Sequence, residues 1–323
     1  MKKEIIVENG TERQITFITA SECKSKSNKQ LLNLLRNNDI RNIRECGCAQ
    51  KGCTHRGERG TMRAVLAVGK GHGFRYLCSA HYGLSGLNEY HSNAADVTYI
   101  GTKKNTDLGS TPVGVELEVV LKDIKKDIAL LNILRTTLVN YAGARQEEDD
   151  TVMGEFPTGA FRGVNSLSKL LDSFERYGIL AELTANEKCG AHIHAGCICV
   201  EYVRENYEVL FKPLADCISN MSANDRTKFF GSDFRSWAKY PDWYYPKDHC
   251  NMFNTQHQHT LEFRLPRCIS SKQYIQCCKA WRAVVCEINL NYETESPTEI
   301  GRRLPEIFRK YYNFMNSYQS FDW

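Results

Sequence analysis

A chain of 323 residues with 42% apolar and 25% charged side chains has material for one large core or two modest ones, which excludes wholesale disorder. No run approaches the roughly 20 apolar residues that cross a bilayer, and the opening MKKEIIVENG has no apolar stretch behind its lysines, so neither a membrane span nor an export signal is expected. The net charge of +4 is uneven: residues 1–90 hold 15 Lys and Arg against 8 Asp and Glu, and residues 91–323 hold 27 against 30, too small a basic excess to favour nucleic acid as a partner.

In chain order, residues 4–19 read as a hairpin, because Asn9-Gly10 separates two β-rich runs. NKQLLNLLRN at 28–37 reads as a short helix. Residues 46–90 form a small unit rich in Gly, Cys and His, and KNTDLGSTP at 104–112 has linker composition. The boundaries drawn from this are 1–45, 46–90 and 108–323. Within the last, Ile124, Ile128, Leu131, Leu134 and Leu138 stripe a helix over 123–141. A second helix spans 166–177, capped by Ser166 and stopped at Gly178. A third runs over 202–221 with a kink or break at Pro213. A long one over 271–290 turns Tyr274, Cys277, Trp281, Val284 and Ile288 inward, and a last one covers 297–319.

Three short strands carry the informative pattern. Residues i and i+2 of a strand share a face. In VGVELEVV, Glu116 and Glu118 share one, opposed to Val115, Leu117 and Val119. In CGAHIHAG, His192 and His194 share one, and in TLEFRLPR, Glu262 and Arg264 do. A half-solvated antiparallel sheet would also alternate, but solvated faces usually draw on Thr, Lys, Ser and Arg. Carboxylates and imidazole bind Mg²⁺ or Mn²⁺, and arginine clamps phosphate.

GVELE, CGAHIHAG and TLEFRL, in that order, resemble the amidoligase family of the glutamine synthetase-like carboxylate–amine ligase superfamily, over roughly residues 110–290. The resemblance implies an α+β fold, with a curved, mainly antiparallel sheet and helices packed on one face. It implies that Glu116, Glu118, Glu155 and Glu262, with His192, hold Mg²⁺ or Mn²⁺. Glu155 is placed by the run DDTVMGEFPTG. His192 lies near the nucleotide phosphates and His194 faces substrate. Arg264 contacts the transferred phosphoryl group, and Arg235, in GSDFRSW, is a weaker second phosphate arginine. The implied reaction uses ATP to turn a carboxylate into an acyl phosphate, which an amine then displaces; Glu155 or another acid would take the amine's proton. Acid and amine are small molecules, peptides or protein side chains. The segment CNMFNTQHQHT matches the family pattern only loosely, and family members commonly lack a unit like 46–90.

Other groups have plainer readings. Cys197, Cys199, Cys277 and Cys278 are core thiols, His257 and His259 belong to a turn or pocket rim, and Glu147–Asp150 is a solvated loop.

Fourteen cysteines without an export signal point to a reducing, cytoplasmic setting. Cys46, Cys48, Cys53 and His55, then Cys78 and His81, flank a hairpin with a Gly-rich turn, the layout of a zinc ribbon-like module. Cys48, Cys53, Cys78 and His81 are the expected ligands of a structural zinc, with Cys46 or His55 as alternates. Two other functions fit the same chain. One is a phosphotransferase of the same superfamily. The other is a zinc-containing nucleic-acid or protein adaptor with an inactive ligase fold.

Overall fold

The computed structural model describes residues 111–120, 154–246 and 248–317 almost in full, separate positions between 130 and 152, and six strands before residue 101. It is an α+β protein. Strands β1 (Lys2–Glu8), β2 (Thr11–Ile18), β3 (Asp39–Asn42), β4 (Met62–Leu66) and β5 (Phe74–Cys78) form one five-stranded sheet in that order. The expected hairpins are there as the antiparallel pairs β1–β2 and β4–β5, while β2 and β3 run parallel. The sheet is continuous from the N-terminal hairpin into the cysteine-rich segment. The turn Asn9-Gly10, the helix over 28–37, the acidic run 147–150 and five of the six zinc candidates (Cys46, Cys48, Cys53, His55, His81) lie outside the described residues. Cys78 ends β5, opposite Met62.

The second sheet builds the site. Its strands are β6 (Tyr99–Ile100), β7 (Val113–Val119), β8 (Gly154–Pro157), β9 (Ala160–Phe161), β10 (Ala191–Gly196), β11 (Phe253–Asn254) and β12 (Thr260–Phe263). The order is β11-β12-β10-β7-β9-β6, with β8 also on β7. All pairs are antiparallel except β6–β9.

One face is apolar, as the two-residue period requires. Val115, Leu117, Val119, Ile193, Leu261 and Phe263 are buried on it. Helices α1 (Val164–Arg176) and α5 (Ser271–Asn291) pack on that side. Trp281 of α5 stacks on Phe253 and Phe263 at 5.4 and 5.1 Å and donates its indole N–H to the Leu261 carbonyl. Tyr274 Oη reaches the His192 carbonyl at 3.1 Å, so α5 braces the strand that carries both histidines. All five residues expected to turn inward on α5 are buried, as is the stripe Leu131, Leu134 and Leu138.

Two helix boundaries differ from expectation. Helix α1 begins at Val164 behind Gly163, with no side-chain cap from Ser166, and stops as expected before Gly178, whose φ is 75°. The helix over 202–221 is two helices, α2 (Val200–Glu205) and α3 (Tyr207–Ser219), broken at Asn206 and not at Pro213. Pro213 removes the donor that would bond the Val209 carbonyl. Helix α6 (Pro297–Ser317) covers that carbonyl with Gly301, where an added Cβ would stand 2.4 Å from the oxygen. Helix α4 (Ala223–Phe230) is capped by Ser222, which accepts from Asp225 N–H. No helix among the described residues is long and apolar enough to cross a membrane.

Candidate metal centre

Sheet register sets the site. On the face away from α5, His192 pairs with Glu116, His194 with Glu262, Glu118 with Glu155, and Asn254 with Glu262. Directly opposed residues point to the same side of a sheet, so Glu116, Glu118, Glu155, His192, His194, Asn254 and Glu262 share one surface. Arg264 follows β12 and is drawn back by Glu262, whose Oε1 accepts its Nη1–H at 2.8 Å.

Most of this face is buried, with Glu116 and His194 partly exposed. His192 is 0% exposed, Glu262 1%, and Glu118 and Glu155 6% each. The segment between α4 and β12 covers it. The Trp237 carbonyl of that segment accepts from Arg264 Nε at 3.4 Å, and Arg235 donates to the Cys189 and Leu265 carbonyls at 3.0 and 3.4 Å. Burying so many carboxyl groups costs several kcal/mol each unless cations answer them. Arg235 and Arg264 answer in part.

His192 is the hub. Its Nδ1 lies 2.7 Å from Glu116 Oε1 and 3.1 Å from Glu262 Oε1, and its Nε2 lies 3.3 Å from Glu118 Oε1. His194 Nε2 lies 3.3 Å from Glu116 Oε2. The two Nε2 atoms are buried and neither makes a hydrogen bond, because their carboxylate neighbours stand out of line. Two ligands at right angles on one cation about 2.1 Å away stand about 3.0 Å apart, close to the spacings around His192. The carboxyl excess, imidazole nitrogens that meet carboxylates without a hydrogen bond, and this spacing fit a divalent cation. Donor atoms of Glu116, Glu155 and His192 converge to within 4.8 Å. Beside them Gly190 is needed for room. A Cβ there would stand 2.6 Å from His192 Nε2 and 2.8 Å from Glu118 Oε1, and the Gly190 N–H donates to Glu118 Oε2 at 2.5 Å.

The electrostatics agree. Burial, and then the Arg264 charge, press His192 towards neutrality. Hydrogen bonds to Glu116 and Glu262 outweigh both and raise it to about 9. Burial pushes the Glu116 and Glu262 carboxyls up, yet the His192 hydrogen bonds and, for Glu262, the Arg264 charge hold both well below the usual range. Burial lowers Arg235 to about 10, against the pull of Glu118. In the metal-free protein the imidazolium of His192 thus stands where a cation would.

The structure brings together all eight sequence-predicted residues of this site: Glu116, Glu118, Glu155, His192, His194, Arg235, Glu262 and Arg264. Three further residues take part. Asn254 Nδ2 donates to Glu262 Oε2 at 2.7 Å, and its place on β11 follows from register with β12. His257 stands on a turn at the rim, as expected, half-exposed between β11 and β12, and its Nε2 comes 3.2 Å from Glu262 Oε2. Arg204 of α2 holds the backbone around it. Cys197 and Cys199 lie past the end of β10, buried and unpaired by disulfide, in agreement with their reading as core thiols.

Comparison of the sequence with known proteins finds no matching protein-family model and no matching curated protein.

Proposed function

We propose that this protein is an ATP-dependent carboxylate–amine ligase with a glutamine synthetase-like catalytic sheet, forming an amide or isopeptide bond through an acyl phosphate. The observation that carries the reading is the convergence of four carboxyl groups, three of them buried, and two imidazoles on one sheet face, with two arginines beside them.

Glu116, Glu118, Glu155, His192 and Glu262 would hold Mg²⁺ or Mn²⁺. The bound ions supply the positive charge that γ-phosphoryl transfer demands. Arg264, steadied by Glu262 and the Trp237 carbonyl, meets the transferred phosphoryl group, and Arg235 meets a second phosphate. Both guanidinium groups are fixed in advance, so little reorganisation accompanies transfer. His194 borders the place of the acid substrate. The covering segment keeps water from the acyl phosphate, which would otherwise hydrolyse. Glu155, which pairs with Glu118 across the sheet, or another acid would take the amine's proton.

The cysteine-rich segment is proposed to hold a structural zinc on Cys48, Cys53, Cys78 and His81, with Cys46 or His55 as alternates.

The test uses the full chain with ATP, Mg²⁺ and panels of acids and amines, followed by ADP release and product mass. The ligase reading expects a product equal to acid plus amine less water. A product heavier by one phosphoryl group would replace it with a phosphotransferase. Absence of both turnover and divalent-cation binding at Glu116 and Glu262 would overturn the enzymatic reading, and salt-dependent nucleic-acid binding without turnover would favour the adaptor.

A further inference from the structure

One imidazole at the edge of the polar face, His257, has no part in the proposed reaction. His257 sits between β11 and β12, and its position is built: Arg204 Nε donates to the Thr255 carbonyl at 2.8 Å, and Nη2 to the Gln256 and His257 carbonyls at 3.0 and 3.1 Å. Held there, the His257 ring lies 4.9 Å from that of His194, at 75° to it. His194 Nε2 is buried without a hydrogen bond. Donor atoms of His194, His257 and Glu262 all lie within 4.8 Å of one another. Glu262 serves two sides, Oε1 towards His192 and Arg264, Oε2 towards Asn254 and His257.

We propose that His194, His257 and Glu262 form a second cation site that takes Zn²⁺, or a similar nitrogen-seeking transition ion, in preference to Mg²⁺. Two imidazoles and one carboxylate make a nitrogen-rich donor set, whereas Glu116, Glu118, Glu155 and one imidazole make an oxygen-rich one suited to Mg²⁺. Ligands sharing a tetrahedral zinc about 2.1 Å away stand about 3.4 Å apart. Closing the present spread takes a movement of about an ångström, which the half-exposed His257 ring can make. Asn254 and Arg204 supply the outer hydrogen bonds that fix Glu262 and the loop. The site stands on this donor set alone and does not depend on the ligase reading.

Crystals of the full chain soaked in Zn²⁺ with excess Mg²⁺, measured at the zinc absorption edge, are expected to show an anomalous peak between the two imidazoles. The peak should vanish in His257→Ala and in His257→Asn, with the unfolding temperature unchanged. In solution, Co²⁺ should give a nitrogen- and oxygen-ligand visible absorption whose affinity falls at least about tenfold in either variant, while thiolate-to-cobalt bands from the N-terminal cysteines persist. Zinc found only at Glu116 and His192, displacement of zinc by Mg²⁺, or an unchanged Co²⁺ affinity in both variants would overturn the proposal.

Discussion

The proton on His192 gives the sharpest quantitative prediction. In the metal-free protein that imidazole keeps its proton to about pH 9, against about 6.5 in an unfolded chain. A raised folded pKa stabilises fully below the unfolded value, and the contribution is lost as pH climbs through the folded one. The interval from 6.5 to about 9 corresponds to roughly 3 kcal/mol. The metal-free protein should therefore lose stability across this window. A cation needs the neutral imidazole, so its binding expels the proton. Mg²⁺ affinity should rise by about tenfold per pH unit below about pH 9 and level off above it. Mg²⁺ is the right probe because the N-terminal thiols do not bind it. Calorimetry in two buffers of unlike ionisation enthalpy should count about one proton released per bound ion near neutral pH. At saturating Mg²⁺ the unfolding temperature should stay level across the window, whereas without Mg²⁺ it should fall. No proton release, a pH-independent Mg²⁺ affinity, or a metal-free protein that gains stability through the window would refute the reasoning.

Three substitutions follow from the same geometry. Glu262→Gln leaves the buried Arg264 without its closest counter-charge, so unfolding by denaturant should show a loss of about 3–5 kcal/mol together with loss of cation binding. Gly190→Ala drives a methyl group against His192 Nε2 and Glu118, so Mg²⁺ titration should show affinity weakened by at least about tenfold while circular dichroism is unchanged. Trp281→Ala removes three aromatic stacks, on Phe211, Phe253 and Phe263, and the N–H bond to Leu261, and should cost about 3–5 kcal/mol in a denaturant titration.

What was legible in the sequence followed from period and position. Glu116 with Glu118, His192 with His194 and Glu262 with Arg264 each declared a face by their two-residue spacing, and the long stripe through Trp281 declared the helix that braces them. Burial of the polar face was not legible, because alternation looks the same whether water or a covering segment lies over it. His257 stands in a loop without periodicity. Arg204, from a helix some fifty residues earlier, holds its carbonyl, a contact that no local pattern announces. Asn254 joins the row through register with β12, which pairing decides. Pro213 does not break the helix, and the carbonyl it frees lies against Gly301 of a helix far along the chain. Ser166 had cap chemistry, but the helix starts two residues earlier, behind Gly163.

The most direct test of the central claim is anomalous diffraction from crystals of the full chain holding Mn²⁺ and a non-hydrolysable ATP analogue. The account predicts manganese among Glu116, Glu155, His192 and Glu262, with the terminal phosphate against Arg264. Manganese elsewhere, or a nucleotide bound away from this sheet face, would contradict it.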